Sequence, residues 1–448
     1  MSLRHTANDI GLSPNGKALD SDSSIVGVRV PQAQSFIPRM IARDFLYYRT
    51  ICFGAKQIAM MADEKSPVRI SHRRFATSCL EVRIIMRRIV NERNTKRKKA
   101  AIILKRTAVA AMCVILAAGM TACGKKTDSV QSESVSENDK YSSDIFAMDT
   151  YMSLTAYGAK AQDAVTAAIH EIQRLDAMFS VGNTDSDVTT ANMQGSAIVS
   201  DETAYLVEQS LEISRKTDGA FDITIYPVME LWGFTTKNYK VPQADELQET
   251  LKRVSYENVS LKDHELVLKN NAQIDFGGIA KGYTSSRVMQ IFKEYGIEHG
   301  MVNLGGNVQT LGTKTDGTAW RVAIQSPQGG NQYLGILETS DQAVITSGGY
   351  ERYFEENGVT YHHIIDPKTG YPSDSDLTSV TIVCADGTKA DALSTSFFVM
   401  GLQKAESFYE NTDLDFDVIL LTKDNQIYIS EGIAQNFTSD YTVNVLKK

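Results

Sequence analysis

Asp275-Phe276-Gly277-Gly278-Ile279-Ala280-Lys281-Gly282 sets small residues at a junction between two kinds of hydrophobic periodicity. Alternation near 265–269 and 272–276 reads as short strands, and the spacing from Ile279 to about Tyr295 reads as a helix. A strand that enters a helix through glycines leaves the first helical N–H groups free, and the helix dipole adds partial positive charge there. Phosphate suits such an end, and Lys281 adds a point charge for the same anion. The stretch is neither a Walker loop nor the dinucleotide fingerprint, so taken alone it is also explained by a plain glycine-rich turn.

Moving outward, Val165, Ala168, Ile169, Ile172, Leu175 and Phe179 recur at three- and four-residue spacing, which predicts an amphipathic helix over 160–179. A second helix is expected over 201–216, ending at Asp218-Gly219, and the alternation from Ile145 to Leu154 predicts a strand ahead of both. The C-terminal half reads as strands near 320–325, 361–365 and 377–384, a helix at 388–400, and strands near 416–421 and 426–430. No internal repeat occurs, and no Pro- or Gly-rich linker follows Ser143. The simplest reading is one compact α+β domain over 144–448.

Charge divides the chain. Residues 1–106 carry 21 Lys and Arg against 8 Asp and Glu, and the remainder carries 25 against 46. A domain that acidic lacks the basic face that nucleic acid requires, so nucleic acid is excluded as a partner. Lys96, Arg97, Lys98, Lys99, Lys105 and Arg106 crowd ahead of a charge-free stretch from Thr107 to Ala122 that stops at Cys123. The stretch is shorter than the roughly 20 residues a spanning helix wants. The order of basic, apolar and Met120-Thr121-Ala122-Cys123 segments reads as a lipoprotein signal over 86–122, with an uncleaved signal anchor as the competing reading. Lipidation of Cys123 would tether the product to the outer face of the cytoplasmic membrane. Residues 123–143, rich in Ser, Glu, Asp and Lys, would form a flexible tether. Residues 1–85 precede a segment that normally begins a chain, and Met86-Arg87-Arg88 would make a natural start. They are expected to be a mis-assigned upstream extension, the alternative being a cytoplasmic tail on a retained anchor. A product starting at Cys123 loses Cys52, Cys79 and Cys113 and keeps Cys384 as a free thiol.

Three further groups carry chemistry. Asp391, Ser394 and Thr395 stand at i, i+3 and i+4, so their oxygens share one helix face. A carboxylate with a hydroxyl one turn away suits a hard cation such as Mg²⁺, although Asp391 is equally readable as a first-turn acid favoured by the dipole. His362 and His363 precede Ile364-Ile365-Asp366-Pro367-Lys368-Thr369-Gly370, and adjacent strand residues face opposite sides, so at most one imidazole serves a given site. Either could be a general base or a satisfied structural residue. Thr217 through Thr224 and Leu231-Trp232-Gly233-Phe234 join a turn, a carboxylate and aromatics that could cover a flavin or adenine ring or simply fill the core.

In their order along the chain these pieces resemble the ApbE family of FAD:protein FMN transferases over essentially all of 144–446. Met148-Asp149-Thr150, Phe179-Ser180, Val302 through Asn307, Thr346-Ser347-Gly348 and His363 through Pro372 complete the match. The resemblance implies a single T-fold-like α+β domain that binds FAD and Mg²⁺. It would transfer the FMN half of FAD to a Thr or Ser hydroxyl of an acceptor protein and release AMP. It places the metal on Gly278, Asp391 and Thr395, and the flavin and nucleotide on Met148, Ser180, Ala220, Phe221, Asp222, Asp275, Lys281 and Ile365. His363, not His362, would be the catalytic base. Expected acceptors are flavin-carrying subunits of membrane redox complexes or extracellular reductases. The chain departs from the family in Asp149, where Gly is usual, and in Gly349, where a polar residue is common. The competing functions are a Mg²⁺-dependent FAD pyrophosphatase and a non-catalytic flavin-binding lipoprotein.

Overall fold

A computed structural model describes residues 139–329 and 332–448, together with the backbone of the strand Ile25–Gly27. The signal at 86–122, Cys123, most of the tether and the rest of the upstream extension lie outside the described residues. Among those described, no helix is long and apolar enough to cross a membrane.

The core is a nine-stranded sheet. From edge to edge its strands are Val443–Leu446, Ile427–Ser430, Asp417–Thr422, Leu377–Cys384, Ala343–Gly348, Asn307–Leu311, His299–Leu304, Thr150–Tyr157 and Lys140–Ala147. All neighbours are antiparallel except the Ile427–Ser430 and Val443–Leu446 pair. Both faces of the central strands are buried, which explains their continuous apolar runs. Ala343 and Ile345 turn to the helical side, against Ala390, Ala392 and Phe397 of the helix Gly387–Met400. Val344 turns to the other side, against Trp320, Val322 and Leu337 of a small second sheet. In that sheet Trp320–Gln325 pairs antiparallel with Tyr333–Thr339 and parallel with Ile25–Gly27.

The helices Ala161–Phe179, Asp201–Lys216 and Ala280–Glu294 form as the periodicity predicts. Ser200 caps the second of them by accepting from Thr203 N at 3.3 Å. Trp320–Gln325, Leu377–Cys384, Gly387–Met400, Asp417–Thr422 and Ile427–Ser430 also fall within a residue of expectation.

Four expectations need correction, the first being the strand near 361–365, which forms at Val359–His362 as one arm of a two-stranded hairpin. The strand near 145–154 is a hairpin, with Met148 (φ 47°) and Asp149 (φ 60°) as its left-handed tip. Its first strand begins at Lys140, so the last four residues assigned to the tether belong to the sheet. The expected strand at 272–276 does not form, although Glu265–Leu268 before it does. Its backbone is claimed locally: Ile274 N donates to Asn192 Oδ1 (2.7 Å), Asn192 Nδ2 donates to Ile274 O (2.8 Å), and Asp275 N donates to Ile223 O (3.0 Å). The segment is extended, as its alternation implied, but a side-chain amide replaces the neighbouring strand.

Candidate active site

The N-terminal halves of the helices Ala280–Glu294 and Gly387–Met400 meet through glycine. A Cβ on Gly282 would lie 2.0 Å from Gly387 O, and one on Gly387 would lie 2.6 Å from Gly282 O. This close approach brings Asp391 against the first turn of the other helix, where its Oδ2 accepts from Gly282 N at 2.8 Å. Asp391 is only 3% exposed. One turn on, Thr395 Oγ1 lies 3.6 Å from where a Gly278 Cβ would stand and 3.4 Å from Ser347 Oγ. Ser347 Oγ also pairs with Ser394 Oγ (2.8 Å), which donates to Asp391 O (2.8 Å). The structure thus gathers Gly278, Asp391 and Thr395 into one corner, although Gly278 and Asp391 stand 113 residues apart in sequence. Among the described residues no three His, Cys, Asp or Glu side chains are grouped so that they could hold a metal ion between them. What this corner offers is one carboxylate, a hydroxyl and main-chain oxygen, the hard donor set that suits a cation completed by water and phosphate.

Next to this corner the helix Ala280–Glu294 starts without a side-chain cap. Gly277 N donates to Asp275 Oδ1, which bends the loop over the helix end. Burial raises the Asp275 pKa, opposed by that hydrogen bond and by Arg352 and Lys281. Glu351 is half-buried, and burial pushes its pKa up to about 7, with Lys281 and Arg352 opposing and Asp391 reinforcing the shift. Lys281 therefore acts on two acids, Asp275 and Glu351, and is the cation through which this end of the site would greet a phosphate.

The two histidines separate by their partners. His362 Nε2 lies 3.2 Å from Ser373 O, and its Nδ1 accepts from Ile364 N at 3.3 Å, so both ring nitrogens are satisfied within the chain. His363 Nδ1 lies 3.1 Å from Arg352 O. A carbonyl only accepts, so Nδ1 carries the proton and Nε2 holds a free lone pair. Burial first, then the Arg352 charge, holds the His363 pKa down to about 3, so the imidazole is neutral at physiological pH.

The remaining residues expected to contact flavin and nucleotide are placed as follows. Phe221 is buried, with Cε2 3.0 Å from the Gly278 Cβ position, and neighbouring Ala220 is buried beside it. Asp222 acts as a strut: its Oδ1 accepts from Thr224 N (2.8 Å) and Thr224 Oγ1 (2.6 Å), and its Oδ2 from Tyr256 N (2.7 Å). Met148 Sδ accepts from Thr284 Oγ1 at 3.7 Å, which docks the hairpin tip on the Ala280–Glu294 helix. Ser180 Oγ accepts from Gly182 N at 3.1 Å, at the end of the helix whose Phe179 meets Phe276 edge to face. Ile365 is buried with Trp232, Phe234 and Leu247. Its side chain offers no polar atom.

Sequence reasoning missed Glu351, Arg352 and Ser347 as members of this constellation. Ser347 stood in a motif that was noticed, but nothing in its spacing reveals a partner 47 residues away. Glu351 and Arg352 follow a strand in an irregular segment, where no periodicity assigns a direction to a side chain.

The ApbE family model matches residues 148–420. The FAD:protein FMN transferase of Treponema pallidum (strain Nichols) is 32% identical over 318 residues, covering 66% of this chain and 88% of that protein. That of Klebsiella pneumoniae (strain 342) is 31% identical over 304 residues, covering 66% and 93%. Among solved structures, the ApbE protein from Thermotoga maritima superposes with a TM-score of 0.63 at 34% identity, covering 66% of this chain and 99% of that one. The match spans the glycine loop, the oxygen corner and the histidine strand together, and on that ground the chain belongs to the ApbE family.

Proposed function

We propose how this chain, an FAD:protein FMN transferase, carries out its transfer: on a Thr or Ser hydroxyl of the acceptor, with Mg²⁺ in the oxygen corner and His363 as base. In this reading the acceptor oxygen attacks the FMN-side phosphorus of the FAD pyrophosphate. A new P–O bond forms to the acceptor, the P–O bond to the AMP phosphate breaks, and the hydroxyl proton passes to His363 Nε2. AMP leaves with the electron pair of the broken bond. Mg²⁺ on Asp391, Thr395 and the Gly278 carbonyl would neutralise charge on the phosphate oxygens. Lys281 and the uncapped helix end hold the same phosphates, and Arg352 O keeps the imidazole in the tautomer that can accept.

The observation that carries the reading is the His363 tautomer: with Nδ1–H held by Arg352 O at 3.1 Å, Nε2 is the nitrogen that can accept a proton. The two histidines of the pair are chemically alike, and only this one has a lone pair to give. Tethering through Cys123 would place the enzyme on the outer face of the cytoplasmic membrane, where flavin-carrying subunits of membrane redox complexes or extracellular reductases are the acceptors.

The test compares two products. With FAD, Mg²⁺ and an acceptor, AMP and covalently bound flavin should rise one for one. AMP matched by free FMN, with no flavin on any acceptor tried, would identify a pyrophosphatase instead.

A further inference from the structure

The hairpin Tyr353–Glu356 and Val359–His362 stands apart from the main sheet, and among the described residues its strands pair only with each other. His363 N donates to Arg352 O at 3.0 Å, which sets the parity of the ladder. Tyr353–His362 and Glu355–Thr360 are consequently the non-hydrogen-bonded pairs. The N–H and C=O groups of Thr360 and His362 point away from the partner strand, along an edge that no described strand covers. No backbone hydrogen bond among the described residues reaches the amide of either residue. Proteins usually blunt such an edge, because it is a template for another chain.

This edge lines a groove of about 680 Å³, whose far side is formed by Tyr371, Pro372 and Ser373. Tyr353 (43% exposed), Val359 (49%) and Tyr371 (40%) leave an aromatic and apolar surface open around it. The groove borders two stretches of chain that lead on to the reacting corner. Gly349, in its wall, lies two residues beyond Ser347, whose hydroxyl meets Thr395. His362, also in its wall, is followed directly by His363. Successive strand residues face opposite sides, and a chain laid along the same edge alternates in the same way. Its side chains on one face enter the tyrosine groove, and those on the other arrive on the side of His363.

We infer that the free edge Val359–His362 docks an extended segment of the acceptor polypeptide as an added strand, presenting the hydroxyl side chain on the His363 face. The inference rests on the transferase reading above: in that reading the acceptor touches this chain at His363, the chain neighbour of His362 in the groove wall. Main-chain hydrogen bonds to Thr360 and His362 supply the binding. The spaces beside Tyr353 and Tyr371 select the flanking side chains.

The probe is the source cell's own flavin-bearing membrane protein, recognised by fluorescence that survives a denaturing gel and then produced without flavin. Full-length enzyme, Thr360→Pro and Thr360→Ala are compared for the acceptor KM, kcat and FAD binding. Proline removes the outward N–H, and alanine keeps it. Thr360→Pro should raise the acceptor KM at least tenfold, leaving kcat within about threefold and FAD affinity unchanged, and Thr360→Ala should behave as wild type. Amide exchange provides a measurement without substitution: adding acceptor to wild-type enzyme should protect the Thr360 and His362 amides. Equal KM for all three proteins, or no protection, overturns the inference while leaving the transferase intact. Flavin found on Ser129, Ser132, Ser134 or Ser136 of the enzyme itself overturns it in favour of the chain's own segment as occupant. Free FMN with no mass gain on the acceptor overturns the transferase reading itself.

Discussion

His362 and His363 share a chemistry and differ in what surrounds them. Both nitrogens of His362 are spent on Ser373 and Ile364, so His362→Ala should cost stability and leave the chemical step nearly intact. His363→Ala should lower kcat by roughly 10²–10⁴-fold, the usual worth of a positioned base, with FAD affinity little changed. Stopped-flow single turnovers, which isolate the chemical step from product release, would separate the two.

Titration follows from the same surroundings. The His363 pKa falls from 6.5 unfolded to about 3 folded. As pH drops below about 6.5 the unfolded chain takes up a proton that the folded chain refuses, so stability declines from there toward pH 3. For Glu351 the sign differs: its pKa rises from 4.5 to about 7, so the stabilisation present below pH 4.5 is lost as pH climbs through 7. His363→Gln should flatten the acid side of a urea-denaturation pH profile, and Glu351→Gln should flatten the neutral side. A steeper slope in either variant would contradict the assignment.

At the scale of elements, the site depends on two helices approaching at Gly282 and Gly387. A Cβ at Gly282 meets Gly387 O at 2.0 Å and Asp391 Cβ at 2.6 Å, contacts that only backbone displacement relieves. Gly282→Ala should cost on the order of 1–3 kcal/mol, the range for overpacking a close-packed contact. It should also weaken Mg²⁺ dependence, because the Gly282 N–H that orients Asp391 moves with the helix. Calorimetry together with a Mg²⁺ titration of activity checks both effects. Gly296 is the control, since a Cβ there meets nothing within 4 Å and only its positive φ (76°) resists substitution.

The same contact shows what sequence could and could not convey. Helices with one apolar face, such as Ala161–Phe179 and Asp201–Lys216, were legible because burial writes the period 3.6 directly into the residue order. The hairpin tip was not, since Met148-Asp149 carries none of the Asn-Gly chemistry that signals a left-handed turn. The extended segment at 272–276 misled because alternation reports two faces and does not say whether another strand or an asparagine satisfies the backbone. Asp391 and Thr395 were legible as one helix face. Their meeting with Ser347 and Gly278 is tertiary and leaves no trace in spacing.

In the whole molecule, a sheet buried on both faces leaves function to the ends of the helices and to the hairpin outside it. The glycine loop, the oxygen corner and the histidine strand come from three separate stretches of chain, and the sheet sets the distances among them. Lys281 counters its acidic neighbours Asp275 and Glu351 locally. Cys384, the free thiol of the described residues, is buried and held above its ordinary pKa by that burial, so it lies outside the chemistry.

The most direct measurement is the intact mass of an acceptor after incubation with the full-length enzyme and FAD, with Mg²⁺, with EDTA, and with Asp391→Ala. The account predicts a gain of one FMN unit with Mg²⁺, accompanied by AMP, and no gain with EDTA or with the variant. A gain that persists undiminished in Asp391→Ala would contradict the oxygen corner as the metal site.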